Sequence, residues 1–418
     1  MITVVALALL ACSGGEAPTP DPKPAPPPVP AKAKQPPPAP AGRPEGKLPS
    51  IVVTQAWFKN NKPQPAKMVV YAKDGDTWHQ EKVLDKDSNV FHKGMAWRDG
   101  ILTIGAMKAM AKHWKRSDDG KWTAETLWEQ SWGGKFDRLR DVELCDLDGD
   151  GKDEMALATH DMGVVAVGKE GKDGKWTFQE FDKTPDIFVH EVEIGDVDGD
   201  GNKEFYVTPS ERNKSSGVSQ PGGVARYDFR GGKYVKTQVV WWEESHAKEI
   251  LVTDIDGDGK DELYVVKEGH VVKEAGKKVL KDPVTLVRMD TVDGKKFKEV
   301  AVATLDGEHQ TRFIVPGDVD GDGKVEIVAA GMDTGLYVLQ PGDDGTFTAE
   351  LVDKNSGGFE HATHVADLDK DGKLEIYVAS DKQRQLRRYT WGDGKWNREK
   401  IADFPKNHIT WNVQDGVF

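Results

Sequence analysis

Short apolar runs with alternating polar residues recur along the chain after residue 50, and tight turns separate them. Asp-Gly and Gly-Gly pairs favour β-hairpins, because such turns need a residue with φ > 0. Seven of the pairs of this kind are interpreted as hairpin turns of the repeated pattern, at residues 74–75, 119–120, 173–174, 231–232, 293–294, 344–345 and 393–394. An aromatic residue follows six of them closely, at Trp122, Trp176, Tyr234, Phe297, Phe347 and Trp396. The pattern predicts seven repeated units, with these rings packed between adjacent sheets.

Residues 190–241 show one unit in full. Alternation predicts four strands, at residues 190–195, 204–208, 223–229 and 235–241. Four antiparallel strands repeated every ~50–60 residues are typical of a propeller blade. The prediction is an all-β, seven-bladed β-propeller over residues 51–418, and the alternatives are six and eight blades.

A loop rich in aspartate follows the first strand of five units, and two units lack it. Degenerate versions of that region occur at residues 91–100 and 408–416. The last strand has no hairpin of its own, and the first hairpin has no inner strand. We therefore expect the two chain ends to complete one blade together, which removes an open sheet edge.

Each acidic loop carries Asp at positions 1, 3 and 5, Gly at position 6 and Glu at position 9. Alternating carboxylates can wrap a cation, and the carbonyl at position 7 adds another oxygen. The predicted metal residues are Asp146, Asp148, Asp150, Lys152 and Glu154; Asp196, Asp198, Asp200, Asn202 and Glu204; Asp254, Asp256, Asp258, Lys260 and Glu262; Asp318, Asp320, Asp322, Lys324 and Glu326; and Asp367, Asp369, Asp371, Lys373 and Glu375.

Calcium suits these loops better than magnesium, because Ca²⁺ accepts six to eight oxygens in flexible geometry. An EF-hand needs a Glu at position 12, where these loops carry Leu157, Val207, Val265, Ala329 and Val378. The alternative is a set of Asp-rich turns without metal, whose carboxylates would repel one another. We expect about five structural calcium ions.

The five loops and their flanking strands resemble the FG-GAP or VCBS repeats of integrin α-chain-type propellers and bacterial surface proteins. The resemblance covers roughly residues 66–418, and the string from Gly195 to Glu204 carries it most clearly. It implies structural calcium between the first two strands of a blade. It also implies that the loops share one rim and that ligands bind at the opposite face.

The N-terminal segment has the features of an anchor. An apolar run precedes Leu9-Leu10-Ala11-Cys12, which resembles a bacterial lipobox, although no Lys or Arg precedes the run. We predict a signal peptide at residues 1–11, lipidated Cys12, and a Pro/Ala-rich tether at residues 12–50. The alternative is an ordinary secretory signal. Ser13, rather than Asp, after the lipidated Cys implies the outer membrane, facing the periplasm or the cell surface.

The formal charge of −13 argues against nucleic-acid binding, which needs a basic footprint. Basic residues do recur six positions before the acidic loops, where each inner strand begins. The predicted ligand ring is Arg140, His190, Lys248, Arg312 and His361, with His92 and His408 (near Lys406) in the degenerate units. Such a ring could attract an anion. The alternative is that these side chains pair with neighbours such as Asp141 or Glu191, or point to solvent.

No nucleophile elbow, P-loop, zinc-protease helix or dinucleotide fingerprint is found in the sequence. The favoured function is a calcium-stabilised cell-envelope binding protein, for adhesion or for recognition of a carbohydrate or an anionic ligand. The alternatives are a propeller-fold polysaccharide lyase and a scaffold for an envelope protein complex. The partners predicted are a lipid bilayer, through the N-terminal lipid, and an acidic glycan or an envelope protein.

Overall fold

A computed structural model describes residues 43–44, 46–134, 137–214, 216–292 and 294–418. The predicted signal peptide, Cys12 and the tether up to residue 42 lie outside these residues. The described part folds into 31 strands arranged as seven four-stranded antiparallel sheets with two small additions. The predicted all-β, seven-bladed β-propeller is confirmed. Within the described ranges, no helix is long and apolar enough to cross a membrane.

Blade 1 contains β1 and β3–β4, extended by the short β2, and the last strand, β31, completes it. Its strands are β1 (Pro49–Lys59), β2 (Lys62–Pro63), β3 (Ala66–Asp74), β4 (Thr77–Asp85) and β31 (His408–Val417). Blades 2 and 3 are β5 (Phe91–Trp97), β6 (Gly100–Gly105), β7 (Ala109–Arg116), β8 (Trp122–Gln130), β9 (Leu139–Cys145), β10 (Glu154–Thr159), β11 (Val165–Glu170) and β12 (Trp176–Asp182).

Blades 4 and 5 follow in chain order, and blade 5 carries an extra hairpin, β19–β20. Their strands are β13 (Ile187–Gly195), β14 (Glu204–Glu211), β15 (Gly222–Arg230), β16 (Lys233–Trp242), β17 (Ala247–Thr253), β18 (Glu262–Lys267), β19 (His270–Glu274), β20 (Lys277–Asp282), β21 (Val284–Thr291) and β22 (Phe297–Leu305). Blades 6 and 7 are β23 (Thr311–Gly317), β24 (Glu326–Gly331), β25 (Leu336–Pro341), β26 (Phe347–Asp353), β27 (Thr363–Ala366), β28 (Glu375–Ser380), β29 (Gln385–Gly392) and β30 (Lys395–Asp403).

The chain ends close the ring, as the sequence predicts. Strand β31 is the inner strand of blade 1 and pairs antiparallel with β1 from Pro49–Val417 to Trp57–His408. Backbone hydrogen bonds in both directions between Leu48 and Phe418 extend this pairing at the end of the sheet. The closure leaves no blade with an unpaired inner strand, which would otherwise be an edge open to aggregation.

Apolar side chains of neighbouring blades form the core in layers between the sheets. One cluster joins blades 5 and 6 through Tyr264, Leu286, Ile327 and Phe347. The predicted hairpin turns join the outer two strands of each blade, and Gly75 and Gly232 adopt φ of 55° and 80° there. This left-handed backbone is the reason that glycine is needed at these turns.

The five acidic loops connect the first and second strands of blades 3 to 7, so they lie at one rim of the propeller. Blade 2 replaces the loop with a tight turn at Arg98 and Asp99, where Arg98 has a φ of 53°. Two longer connections lie at the opposite rim, between the second and third strands of blades 4 and 5. Residues 212–221 form the first, and the β19–β20 hairpin forms most of the second.

Candidate functional site

The first Asp of each acidic loop folds the loop around its own carboxylate. In the second loop, Asp200 and Gly201 donate backbone hydrogen bonds of 3.0 and 2.8 Å to the two Asp196 oxygens. The position-7 residues Lys152, Asn202, Lys260, Lys324 and Lys373 donate from their backbone N–H to the Asp at position 5. The loop backbone is therefore held by its acids, which turn toward a common centre.

The structure brings these carboxylates together as the spacing predicts. In at least four of the loops, oxygens of three or more acids lie within 4.8 Å of one another and could hold a metal ion. The groups are Asp146, Asp148 and Glu154; Asp196, Asp198, Asp200 and Glu204; Asp254, Asp256, Asp258 and Glu262; and Asp367, Asp369, Asp371 and Glu375. Hard oxygen donors in this number match the ligand set of calcium.

The position-9 glutamates supply an independent test of the fit. One oxygen of Glu326 accepts the Val319 N–H at 2.9 Å, and its other oxygen is buried with no hydrogen-bond partner in the described part of the chain. Glu154 likewise accepts the Leu147 N–H with one oxygen, but its other buried oxygen has the Lys169 ammonium 3.3 Å away. A buried, unsatisfied carboxylate oxygen is costly unless something compensates it. A cation in the loop would do so.

Burial and the crowding of like charges both raise the pKa of these glutamates. Burial, and then the neighbouring aspartates, raise the pKa of Glu262 and of Glu326 to about 7. A bound divalent cation would lower the pKa of these glutamates again, because its positive charge favours the ionised carboxylate. The residues therefore fit structural calcium, which would tie the first two strands of the blade together.

The five loops differ in the basic side chains that reach them from the third strand of the same blade. The Lys169 ammonium lies among the acids of the first loop, bonded to Asp148, 2.8 Å from Asp150 and 3.3 Å from Glu154. Arg226 reaches the second loop and Arg388 the fifth. Among the described residues, no ion pair within 4 Å joins the acids of the third loop, or Asp318, Asp320 and Glu326, to a basic side chain.

A second feature lies on the propeller axis. Near the rim opposite the acidic loops, β-bulges change the direction in which side chains of the inner strands point. Arg140, His92 and Trp411 are each the extra residue of a bulge, and two-residue bulges hold Lys248 and Arg312. Bulges often redirect a side chain next to a functional site. The basic residues that recur in the sequence therefore coincide with bulges that recur in the inner strands.

These side chains line a cavity of about 210 Å³ in the central channel, which runs along the propeller axis. The end of the channel opposite the acidic loops is called the channel mouth. Arg140, Lys248, Arg312 and His92 contribute to the lining, and the Arg140 guanidinium lies 5.0 Å from the centre of the Trp411 ring. The Arg140 Nε is buried and has no hydrogen-bond partner among the described residues. Burial, and then the charge of Arg312, lower the pKa of Lys248 to about 7. The mouth thus contains cationic groups that nearby carboxylates do not fully compensate.

Three residues of the predicted ring lie elsewhere. His361 is fully buried, and its ring nitrogens contact the Gly331 carbonyl at 2.7 Å and the Ser356 hydroxyl at 2.7 Å. Its φ of 52° turns the side chain away from the axis, and the preceding Glu360 lines the cavity instead. His361 therefore acts as a structural link between blades 6 and 7.

His190 is buried beside the channel and bonds Ser210 at 3.2 Å, while the next residue of the same bulge, Glu191, reaches the lining. His408 stacks on Trp57 at a ring-centre distance of 5.8 Å, and Trp411 takes the axial position in that blade. The sequence prediction counted six residues back from each acidic loop. Such a count cannot detect these changes, because one extra residue in a bulge reverses the side on which the following residues lie.

An acidic layer that the sequence did not reveal lies in the same cavity. Asp141, Glu143, Glu191, Glu193 and Glu249 all contribute to its lining. Lys93 is placed among them, 2.8 Å from Asp141 and bonded to Glu143. Burial, then Asp141 and Glu249, raise the pKa of Glu191 well above its ordinary value. The channel is thus of mixed charge, and it offers hydrogen-bond acceptors as well as cations. Acids directly following His190 and Lys248 were the available sequence signal.

Comparison with known families decides the identity of the repeats. The model of the FG-GAP-like repeat matches residues 112–207, 254–329 and 318–378, which together make up more than half of the chain. The chain belongs to the FG-GAP-like repeat family. The matched residues include all five acidic loops of this FG-GAP-like propeller. No curated protein sequence gives a significant match.

Solved structures share the fold of this FG-GAP-like propeller at low sequence identity. A protein from Lactobacillus plantarum superposes with a TM-score of 0.59 at 13% identity, over 88% of this chain and 99% of its own. A candidate 6-phosphogluconolactonase from Bacteroides uniformis gives 0.57 at 12%, covering 88% and 99%. The periplasmic gluconolactonase of Pseudomonas aeruginosa gives 0.51 at 13%, covering 87% and 99%. At such identities the likeness extends to the fold alone.

Proposed function

We propose that this FG-GAP-like propeller is a calcium-stabilised envelope protein that binds an anionic ligand at the mouth of its channel. The observation that carries the proposal is the pair Arg140 and Lys248. Both side chains line the cavity, and within the described residues neither has a carboxylate within ion-pair distance. A cation held in a concave site without a close partner attracts an anion, which restores its lost solvation.

The surrounding groups favour a hydroxylated anion over a simple one. Glu360 and Glu191 offer carboxyl oxygens in the same cavity, and one buried oxygen of Glu360 has no hydrogen-bond partner in the described part of the chain. Such oxygens accept hydrogen bonds from hydroxyl groups. A sugar acid provides both the carboxylate for the basic residues and the hydroxyls for the acids.

We also propose a lipid anchor at Cys12, with the tether that follows it. The residues that lead into β1 reach the body at the acidic-loop rim, because Leu48 pairs with Phe418 at the end of the inner strand β31. Leu48 therefore lies at the rim opposite the channel mouth. Replacement of Cys12 by Ala should move the protein from the membrane fraction to the soluble fraction, and retention in membranes would contradict the anchor.

A ligand panel with matched variants tests the binding proposal. Acidic saccharides, inorganic phosphate, neutral glycans and short acidic peptides would be titrated by calorimetry in calcium buffer. We expect acidic saccharides to bind, and we expect Arg140→Met and Lys248→Met each to weaken binding by about tenfold or more, the value of one charge-assisted contact. Lys233→Ala is the control, because Lys233 is exposed at the start of β16. Binding that is unchanged in both channel variants would contradict the site.

A turnover assay on the same acidic saccharides separates binding from lyase activity. A lyase would generate unsaturated products with a rise in ultraviolet absorbance, whereas a binding protein would not. Binding of no small ligand, together with co-purification of a single envelope protein, would instead indicate the scaffold function.

A further inference from the structure

A second cavity of about 250 Å³ opens beside the channel mouth, between the two long connections of blades 4 and 5. Lys214 and Gln220 line it from the first connection, and Lys278 lines it from the β19–β20 hairpin. Lys248 and Arg312 line this outer cavity and the channel cavity alike. The two cavities are therefore neighbours that share a pair of cationic side chains.

The walls of the outer cavity brace each other. Ser219 donates its backbone N–H to the Val271 carbonyl at 2.9 Å and its hydroxyl to the Gly269 carbonyl at 3.0 Å. Val271 N–H in turn donates to the Ser219 hydroxyl at 2.8 Å. The first connection is thus fixed on the hairpin of the next blade. Long loops placed on a rigid scaffold in this way are common carriers of binding sites.

The charge of the outer cavity is predominantly positive. Its lining includes Lys214, Lys248, Lys278 and Arg312, and the carboxylate that faces them is Glu268. The Lys278 ammonium reaches across to Gly217, where a Cβ atom would collide with it. This balance differs from that of the channel cavity, in which acids outnumber bases.

Two buried polar atoms of the outer cavity lack partners. Glu268 and His246 are 4% and 6% exposed, and in the described ranges Glu268 Oε1 and His246 Nδ1 make no hydrogen bond. Both residues line the cavity. Buried polar atoms of native proteins are normally satisfied, so partners from a ligand or from water are expected here.

An aromatic side chain completes the lining. Phe359 is 43% exposed, which is unusual for a large apolar residue, and it lines the outer cavity. The Arg312 guanidinium lies 5.0 Å from the centre of its ring, and Trp411 of the channel meets it edge to face at 6.3 Å. Cations, a hydroxyl-binding carboxylate and an exposed ring together suit an acidic sugar, whose C–H face packs on aromatic groups.

We propose that the two cavities are adjoining subsites for consecutive units of an acidic oligosaccharide of at least two sugars. This inference rests on the proposed binding function and specifies its ligand. One unit occupies the channel mouth near Arg140, and the next lies over the outer cavity against Lys278 and Phe359. Lys248 and Arg312, which line both cavities, contact the ligand at the junction. A linked second unit adds contacts at a small additional entropic cost, so affinity should rise with chain length.

The test is a length series measured by calorimetry in calcium buffer, with galacturonic acid, its dimer and its trimer as probes. Affinity should increase at least about tenfold from the monomer to the dimer, which corresponds to one added set of charged contacts. Maltotriose controls for sugar without charge, and tetraglutamate controls for charge without sugar. We expect both to bind at least about tenfold more weakly than the trimer.

Matched variants locate the second subsite. Lys278→Ala should remove most of the gain between monomer and dimer and leave monomer affinity unchanged. Phe359→Ala should also reduce that gain. Lys277→Ala is the control, because Lys277 is the exposed neighbour in the same strand, and successive side chains of a strand point to opposite faces. All three residues are exposed, so the variants should fold, and equal melting temperatures would verify this.

The outcomes separate this inference from the function on which it rests. Monomer binding with no gain on lengthening, or a gain that survives Lys278→Ala, would overturn the two-subsite inference and leave the channel site intact. Tetraglutamate binding as tightly as the trimer would overturn the sugar assignment. Absence of binding by every anion would overturn the proposed function itself.

Discussion

Val53 in the first strand pairs with Val413 in the last strand, and both side chains are fully buried in the same sheet. This pairing joins the first and last strands of the propeller, whereas each of the other blades is made from one continuous stretch of the chain. The stability of the whole ring therefore depends on a contact between its most distant segments.

Val413→Asp should open this closure. It buries an unpaired carboxylate, and we expect a loss of about 4 kcal/mol or more in the free energy of unfolding. Urea denaturation followed by tryptophan fluorescence measures it. Val417→Asp is the control on the same strand, because Val417 is 50% exposed, and it should change stability by less than about 0.5 kcal/mol. Equal effects of the two variants would refute the role of the closure.

Removal of calcium should lower the melting temperature strongly. An ion that binds only the folded state stabilises it by about 2.7 kcal/mol per site at a free concentration 100 times its dissociation constant. Calorimetry with calcium, and after EDTA treatment, measures the shift, and elemental analysis of the dialysed protein counts the ions. An identical melt in both buffers, with no calcium bound, would refute structural calcium.

The first acidic loop should bind calcium more weakly than the third, because the Lys169 ammonium lies among its carboxylates. Lys169→Met removes this internal competitor, so calcium affinity of the first loop should increase. A calcium titration of the variant against the unmodified protein would reveal the change. Lys175→Met is the control, since Lys175 lies in the same blade and is highly exposed. Equal titrations of all three proteins would show that Lys169 does not compete.

Anion binding should weaken as the pH rises from 6 to 8. Burial lowers the pKa of Lys248 to about 7, so the ammonium is lost in this range, and Glu268, whose pKa burial raises to about 7, gains negative charge. Both changes oppose an anion, and the loss of the ammonium alone implies roughly a tenfold weaker affinity at pH 8. Calorimetric titrations at both pH values measure it, and Lys248→Met should reduce the dependence. Affinity rising with pH would contradict the assignment.

Acid should destabilise the fold through His361. Burial lowers its pKa to about 4, below the ordinary 6.5, so the unfolded chain binds the proton more readily than the folded protein. The stabilisation is complete above pH 6.5 and decreases as the pH falls toward 4. About 2 kcal/mol should be lost between pH 7 and pH 5. Urea denaturation at both pH values measures this loss.

His361→Asn is the matched variant, because asparagine tolerates the positive φ of this position. Its stability should depend less on pH than that of the unmodified protein, by about the same 2 kcal/mol. An unchanged pH dependence would assign the acid sensitivity to other buried histidines, among them His92, His160, His190 and His246.

The sequence alone determined the features that depend on local spacing. Asp-Gly turns such as that at residues 74–75 require left-handed backbone, and carboxylates at alternating positions of a loop such as Asp254 to Glu262 must converge. Both follow from the conformation of a few consecutive residues. Seven repeats of the turn set the blade number, and a last strand without a hairpin together with a first hairpin without an inner strand predicted the closure.

Only the tertiary structure decided what lies on the axis. A bulge turns Arg140 and Lys248 inward, but a positive φ turns His361 away and puts Glu360 in its place. Lys93 enters the acidic layer through Asp141 of the neighbouring blade, a contact between residues far apart in sequence. The outer cavity likewise needs two connections from different blades. These features depend on bulges and on the packing of blades, and neither leaves a regular period in the sequence.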